Sequence, residues 1–304
     1  MNSAEGFVLG GLAACTAVTV TNPMEVAKTR LQLDGELAKS NQTQKVYNNS
    51  FDAIRKTAKY DGIRGIQRGL GAAYAYQIML NGCRLGFYEP FRTRYNKLLG
   101  KEPGQQVTIA NLAAGSTSGI VGAVCGNPLF LVKARMQAYS AHNPVGSQHR
   151  YVNTISALAH ISKNEGGIRG LFRGVNGAML RTAMGSSVQL PAYNLAKSYL
   201  SEHMPKESIL TYLAASTFSG FCVLLMMQPA DTVLTRLYTG KSLYKGPIDC
   251  LWKTFKAEGI AGWYKGSLAH FLRIAPHTVL TLTVNETLCR SYIRWQTERE
   301  SSAT

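Results

Sequence analysis

The chain has 304 residues, with 33 Lys or Arg against 17 Asp or Glu, a formal charge of +16. Its mean hydropathy of −0.07 and 45% hydrophobic content would describe a soluble protein on average, yet residues 107–132 and 209–230 carry no charge at all. Each of those stretches is long enough to cross a hydrocarbon core of about 30 Å. Together with bases spread along the chain rather than gathered in one tract, they exclude a soluble nucleic-acid binder. The basic excess suits contact with anionic lipid head groups.

The first predicted element is a spanning helix over 7–33, bent near Pro23, because proline removes a backbone donor and clashes with the preceding turn. A polar stretch follows over 34–49. A short surface helix over 50–59 ends at Asp61-Gly62, and a second spanning helix covers 70–98. Residues 101–105 make a linker with Pro and Gly. The pattern then returns with helices over 107–138, 152–163 and 175–200 and a linker over 204–208. It returns again with helices over 209–238, 248–257 and 267–295 before a polar tail. Few residues precede the first apolar run, so no cleavable presequence is expected.

The three parts agree in detail. Asn22-Pro23-Met24-Glu25-Val26-Ala27-Lys28-Thr29-Arg30 comes back as Asn127-Pro128-Leu129-Phe130-Leu131-Val132-Lys133-Ala134-Arg135. It comes back once more as Gln228-Pro229-Ala230-Asp231-Thr232-Val233-Leu234-Thr235-Arg236. Small residues precede each proline at helix-packing spacing: Gly10 and Ala14, Gly115 and Gly119, Ser216 and Gly220. Gln32, Gln137 and Tyr238 stand at one place after it. Each unit then has an acid-Gly turn and a base-Gly pair: Asp61-Gly62 with Arg68-Gly69, Glu165-Gly166 with Arg173-Gly174, and Glu258-Gly259 with Lys265-Gly266. Repeats about a hundred residues long divide the chain into units over 1–104, 105–208 and 209–304. The predicted fold is an all-α membrane protein, six transmembrane helices in a pseudo-threefold ring.

No chemistry of bond making is visible. The cysteines Cys15, Cys83, Cys125, Cys222, Cys250 and Cys289 form no C-x-x-C pair, so they are read as apolar packers rather than metal ligands or disulfides. Gly240-Lys241-Ser242 looks like the end of a phosphate loop, but Thr235 stands where its first glycine is required. No catalytic residue, cofactor or metal is expected.

Repeated three times in register, these motifs resemble the mitochondrial carrier family. Its pattern is Pro-x-acid-x-x-base-x-base, then acid-Gly, four residues and aromatic-base-Gly. The resemblance covers nearly the whole chain. The departures are Phe130 in place of an acid, Leu234 in place of a base, Gln67 in place of an aromatic, and Gly167 as a one-residue insertion. The resemblance implies alternating-access transport across the inner mitochondrial membrane, with targeting information inside the chain and both termini facing the intermembrane space. A functional monomer is expected. The glycosylation-type sequences at Asn41 and Asn48 would then be noise. Cardiolipin is an expected partner at the base-Gly starts of the even helices, where free backbone N–H groups and the helix dipole favour a phosphate.

The resemblance also implies two gates. On the matrix side, acid and base of neighbouring units pair as Glu25 with Lys133 and Asp231 with Lys28, with Gln32 and Gln137 assigned to the same gate. Phe130 and Leu234 fall in the third pair together. That is coherent physically, since one buried charge without its partner costs about 3–5 kcal/mol whereas replacing both partners is often neutral. The alternative is that these charges only flank membrane ends. On the cytoplasmic side the motifs are Tyr88-Glu89-x-x-Arg92, Tyr193-Asn194-x-x-Lys197 and Asn285-Glu286-x-x-Cys289. They leave Lys197 with Glu286 as a charge pair and Arg92 with Asn194 as a polar one.

Candidate substrate residues come from the even helices, where Arg84, Arg181 and Arg273 lie within apolar runs. A charge inside a span is costly and marks a pathway, or else snorkels to a head group. Counted from the base-Gly glycine, Tyr76, Arg181 and Arg273 share one depth, and Arg84, Gln189 and Thr281 lie about 12 Å further along. The first level is where the family makes its central substrate contacts, and Arg181-Thr182 matches the pattern of keto-acid carriers. Guanidinium groups pair with acidic groups through two parallel hydrogen bonds. The expected substrate is therefore a small anion with two acidic groups, a dicarboxylate or keto-dicarboxylate, rather than a nucleotide or cation. Tyr76, Gln77, Thr182 and His277 are expected to add polar contacts. Moving two charges against a membrane potential costs about 4.6 kcal/mol per 100 mV, so protons accompany the anion or another anion leaves. His277 is a candidate proton site, with Glu25 as its rival. Two other readings stay open: an exchanger for a tricarboxylate or phosphate, and a membrane scaffold with the carrier fold that transports nothing.

Overall fold

The computed structural model describes residues 3–36, 46–102, 105, 107–203, 209–240 and 243–303. Most of the 34–49 stretch including Asn41, part of the 101–105 linker, the 204–208 linker and Lys241-Ser242 lie outside them. In chain order the helices are α1 (Ser3–Leu33), α2 (Ser50–Ile66), α3 (Leu70–Leu98), α4 (Thr108–Ala138), α5 (Thr154–Asn164), α6 (Ile168–Leu171), α7 (Val175–His203), α8 (Ile209–Thr239), α9 (Pro247–Glu258), α10 (Ile260–Trp263) and α11 (Ser267–Ala303). The described residues contain no strand.

The six long helices have at least 29 residues each, about 44 Å at 1.5 Å per residue. Thr108–Ala138 and the Ala214–Thr239 part of α8 are also apolar enough along their length to cross a membrane. The others turn polar groups inward and leave apolar side chains outside, among them Val8, Leu12 and Val20 on α1, and Ile78, Met79 and Phe87 on α3. The closest packing is between units: α3 on α4, α7 on α8, and α11 back on α1. That last contact closes the ring.

Three elements differ from the sequence reading. The surface helix expected over 50–59 continues as α2 through Gly62 to Ile66, and the same segment appears as α6 and α10 in the other units. A positive-φ glycine makes the break each time, at Gly62, at the pair Gly166 and Gly167, and at Gly259. The third difference is the polar tail expected after 295. It is the continuation of α11 to Ala303, over residues such as Gln, Glu and Arg that favour helix on their own.

Two repeated devices hold the ring. The base-Gly glycines Gly69, Gly174 and Gly266 have φ of 77°, 77° and 74° at the start of α3, α7 and α11. Each also lies tight against a neighbouring unit. A Cβ on Gly266 would come within 3.0 Å of the Lys28 carbonyl, and one on Gly69 within 3.2 Å of the Lys133 carbonyl. The second device is the last base of the proline motif. Arg30, Arg135 and Arg236 are completely buried. They pair with the acid-Gly residue of their own unit: Arg30 with Asp61 at 2.8 Å, Arg135 with Glu165 at 2.6 Å, Arg236 with Glu258 at 2.6 Å. Their Nε atoms donate to carbonyls of another unit, those of Gln137, Tyr238 and Gln32. Each guanidinium thus ties a surface helix and two spanning helices together.

Removing an acid from such a pair strands a buried cation, which costs about 3–5 kcal/mol. Glu258→Ala is expected to lose stability of that order, read as a lower midpoint in thermal unfolding of the detergent-purified protein. Glu165 adds a pH effect. The Arg135 hydrogen bonds hold its carboxyl below the ordinary value of 4.5. Its contribution is therefore complete above the unfolded-state pKa and is lost as pH falls through the depressed folded value. The fall in melting temperature below about pH 4.5 is expected to be shallower in Glu165→Gln than in the parent.

Candidate functional site

At the proline end, α1, α4 and α8 converge and their motif charges meet. Lys133 Nζ lies 2.6 Å from Glu25 Oε1, and Lys28 is ion-paired with Asp231. All four side chains are nearly buried. Gln32 Nε2 donates to Asp231 Oδ2 at 3.3 Å and to Thr232, and its Oε1 accepts from Thr235 at 2.7 Å. Gln137 works differently from Gln32. It donates to Asn22 Oδ1 at 3.0 Å and accepts from Thr29, so it braces the helix crossing rather than the Glu25–Lys133 pair. The place without charges is filled by packing. Leu234 is 1% exposed in a buried cluster with Tyr238, Leu131 and Val132, and Phe130 packs against that cluster. The Phe130 ring also lies 5.3 Å from Lys133 Nζ and 5.6 Å from the Arg181 guanidinium carbon, within reach of cation–π attraction.

Directly beside this closure, Tyr76, Gln77, Arg84, Arg181, Arg273 and His277 line one cavity of about 360 Å3. Thr182 joins Tyr76, Arg84, Arg181 and Gln189 along an adjoining cavity of about 610 Å3. The structure therefore brings together all seven side chains singled out on the even helices. It also shows contacts that the repeat spacing did not reveal. Arg181 Nε donates to Asp231 Oδ1 at 2.7 Å, and Arg273 lies 3.8 Å from Glu25. Both arginines rest on the acids of the closure. His277 Nδ1 lies 3.4 Å from Thr21 Oγ1 at the cavity wall.

At the opposite end the acids are paired within their own helices. Glu286 is ion-paired with Arg290 one turn along its own helix, and Glu89 with Arg92 at 2.7 Å within α3. Asn194 is exposed. A bundle drawn tight at the proline end keeps its other end apart, so each acid there takes the nearest base on its own helix.

Two sets of residues had no role in the sequence reading. Arg30, Arg135 and Arg236 were visible as the motif's last base, and the repeated acid-Gly residue was the signal of their partner. His270 went unnoticed. It is completely buried in α11, with Nδ1 2.8 Å from Gln228 Oε1 and 3.9 Å from Asp231 Oδ2. Its signal was a break in the repeat, because the matching positions hold Ala73 and Ala178.

A threefold six-helix bundle with interlocked proline motifs at one end and an arginine-lined cavity above them defines a membrane carrier. The chain belongs to the mitochondrial carrier family: the model of the mitochondrial carrier protein matches residues 1–98, 104–204 and 205–295. It is accordingly a transport protein and not an enzyme. The chain is 49% identical over 294 residues to the mitochondrial oxaloacetate transport protein of Schizosaccharomyces pombe, covering 96% of this chain and 92% of that one. It is 51% identical over 285 residues to the protein of the same name from Saccharomyces cerevisiae, covering 92% and 87%. It is 48% identical over 283 residues to mitochondrial citrate transporter E of Aspergillus niger, covering 92% and 91%.

Leu234→Lys places a charge in a fully apolar site and is expected to cost about 3–5 kcal/mol, seen as a large drop in melting temperature and in transport. Adding Phe130→Asp restores the missing partner. The double variant is expected to recover part of both, whereas additive damage would show that the two positions do not face each other across the closure.

Proposed function

We propose that the protein carries small dianions across the inner mitochondrial membrane by alternating access, with oxaloacetate as a principal substrate. Sulfate, malonate and 2-substituted malates such as isopropylmalate have the same pair of acidic groups and belong to the same class. The observation that carries the reading is the convergence of Arg181, Arg273 and Arg84 on one cavity. The stretches Arg84-Leu85-Gly86-Phe87-Tyr88-Glu89-Pro90, Gly185-Ser186-Ser187-Val188-Gln189-Leu190-Pro191 and Arg273-Ile274-Ala275-Pro276-His277-Thr278 resemble the oxaloacetate carrier, and the names of the two yeast relatives agree.

In the proposed cycle the anion enters from the intermembrane side. It takes Arg181 from Asp231 and Arg273 from Glu25 by offering two better-placed acidic groups. With both arginines drawn onto the anion, the charge balance at Lys28–Asp231 and Glu25–Lys133 changes, and the pairs part toward the matrix as the helices tilt around the bound substrate. Glu89, Arg92, Asn194, Lys197 and Glu286 close behind the substrate as the helices tilt together. The termini face the intermembrane space, three units bounded near 104 and 208 act as a monomer, and cardiolipin phosphates sit at the base-Gly helix starts. Bare dianion uptake against a matrix-negative potential costs about 4.6 kcal/mol per 100 mV, which protons carried in or an anion carried out would offset; of the two, we propose proton coupling.

One observation favours a second reading. Arg84 reaches the same cavity as the other two arginines, so three guanidinium groups are available to a tricarboxylate, and a similar protein is named a citrate transporter. Uptake of labelled oxaloacetate and sulfate into liposomes holding the purified protein separates the two. Oxaloacetate uptake abolished by Arg181→Ala and competed only weakly by citrate is expected. Citrate uptake faster than oxaloacetate uptake would move the assignment to tricarboxylates. No flux of any of these anions through folded protein would favour the scaffold.

A further inference from the structure

The three units differ in what meets the buried amide before the proline. In the first two, the amide before the proline receives a hydrogen bond from another unit: Asn22 Oδ1 from Gln137, Asn127 Oδ1 from Tyr238. In the third, the corresponding side chain, Gln32, is turned onto Asp231 and Thr232. Gln228 is met instead by His270, on α11 of its own unit.

The contact defines the state of the ring. Gln228 Nε2 donates to the Lys265 carbonyl at 2.9 Å, so its Oε1 is the atom facing the histidine. Nδ1 must then carry the hydrogen. In the neutral ring Nε2 is left as a bare acceptor. It is completely buried and has no hydrogen-bond partner. Asp231 Oδ2 lies 3.9 Å from Nδ1. The charged groups whose electrostatic influence reaches the ring are Lys28 from α1, Arg181 from α7, Asp231 from α8 and Arg273 from α11 itself.

We propose that His270 Nε2 is the binding site of the coupled proton. The inference rests on the dianion reading above and adds the site to it. In the empty carrier, Lys28 and Arg181 both lie on Asp231, and the ring is neutral with Nε2 bare. A dianion that takes Arg181 leaves Asp231 with one cation fewer. A proton then adds to the Nε2 lone pair, and the imidazolium Nδ1–H turns toward Asp231 Oδ2 in place of the lost guanidinium. When the Lys28–Asp231 pair opens on the matrix side, water reaches the ring and the proton leaves with the substrate. No electron transfer or bond cleavage is involved beyond that single proton.

The test is proton uptake on addition of sulfate to detergent-purified protein in weak buffer with a pH indicator. The parent is expected to take up about one proton per bound anion. His270→Asn keeps a donor toward Gln228 and cannot be protonated. It is expected to be stabilised thermally by sulfate yet to take up none. In liposomes it is expected to exchange sulfate for sulfate at equal pH while losing its response to an inward gradient of one pH unit, which otherwise raises accumulation by up to about tenfold per coupled proton. His270→Ala, matching Ala73 and Ala178, serves if the Asn variant does not fold. Equal proton uptake in parent and variant, or a gradient response kept in His270→Asn and lost in His277→Asn, overturns the assignment. Sulfate binding by the parent without any proton uptake overturns it too and leaves the dianion reading standing. An absence of sulfate binding removes both.

Discussion

Asp231 is held by two cations at once, and the arrangement of the whole centre follows from that. Lys28 reaches it from α1 and closes the proline end of the ring, while Arg181 reaches it from α7 at the floor of the cavity. A buried carboxylate needs cationic and hydrogen-bonding partners to remain charged in a poor dielectric, and Gln32 supplies one more donor. Because one acid serves both the closure and the cavity, an anion that recruits Arg181, as proposed, acts directly on the charge balance of the closure. Glu25 repeats the arrangement less tightly, with Lys133 at 2.6 Å and Arg273 at 3.8 Å. Coupling between substrate and gate then needs no relay through distant parts of the fold.

The threefold frame and its exceptions have different physical tasks. What repeats is structural: the buried Arg30, Arg135 and Arg236 latches and the glycines that let α3, α7 and α11 start against a neighbouring unit. Two breaks in the repeat lie at the closure. The missing ion pair at Phe130 and Leu234 replaces a third of the charge closure by an aromatic platform beneath Lys133 and Arg181. Loss of both charges together avoids an orphaned buried ion. His270 is the other exception, and it lies against the same Asp231.

Much of this was legible because repeats act as a ruler. The bounds of α3 coincide with the expected 70–98, and counting from the base-Gly glycine placed Tyr76, Arg181 and Arg273 around one cavity. The Glu25–Lys133 and Lys28–Asp231 partners followed from the ring, although they are more than a hundred residues apart in the chain. Three things were not legible. The resting of Arg181 on Asp231 depends on side-chain reach across helices, which spacing along one helix does not give. The state of the two ends is a property of one conformation, and a sequence encodes both gates without stating which is assembled; Lys197 and Glu286 belong to the end that is apart. The extension of α11 past 295 was hidden because polar, charged residues were read as tail, although their helix preference was on view.

The competition at Arg181 is the centre of the account, and the affinity for sulfate in Asp231→Asn tests it most directly. Calorimetry or a thermal-shift titration on purified protein would compare the variant with the parent. If the carboxylate competes with substrate for Arg181, its removal frees the guanidinium and sulfate binds tighter, by about tenfold or more. Weaker binding in folded Asp231→Asn protein would contradict it, because Asp231 would then be positioning Arg181 for the anion rather than withholding it.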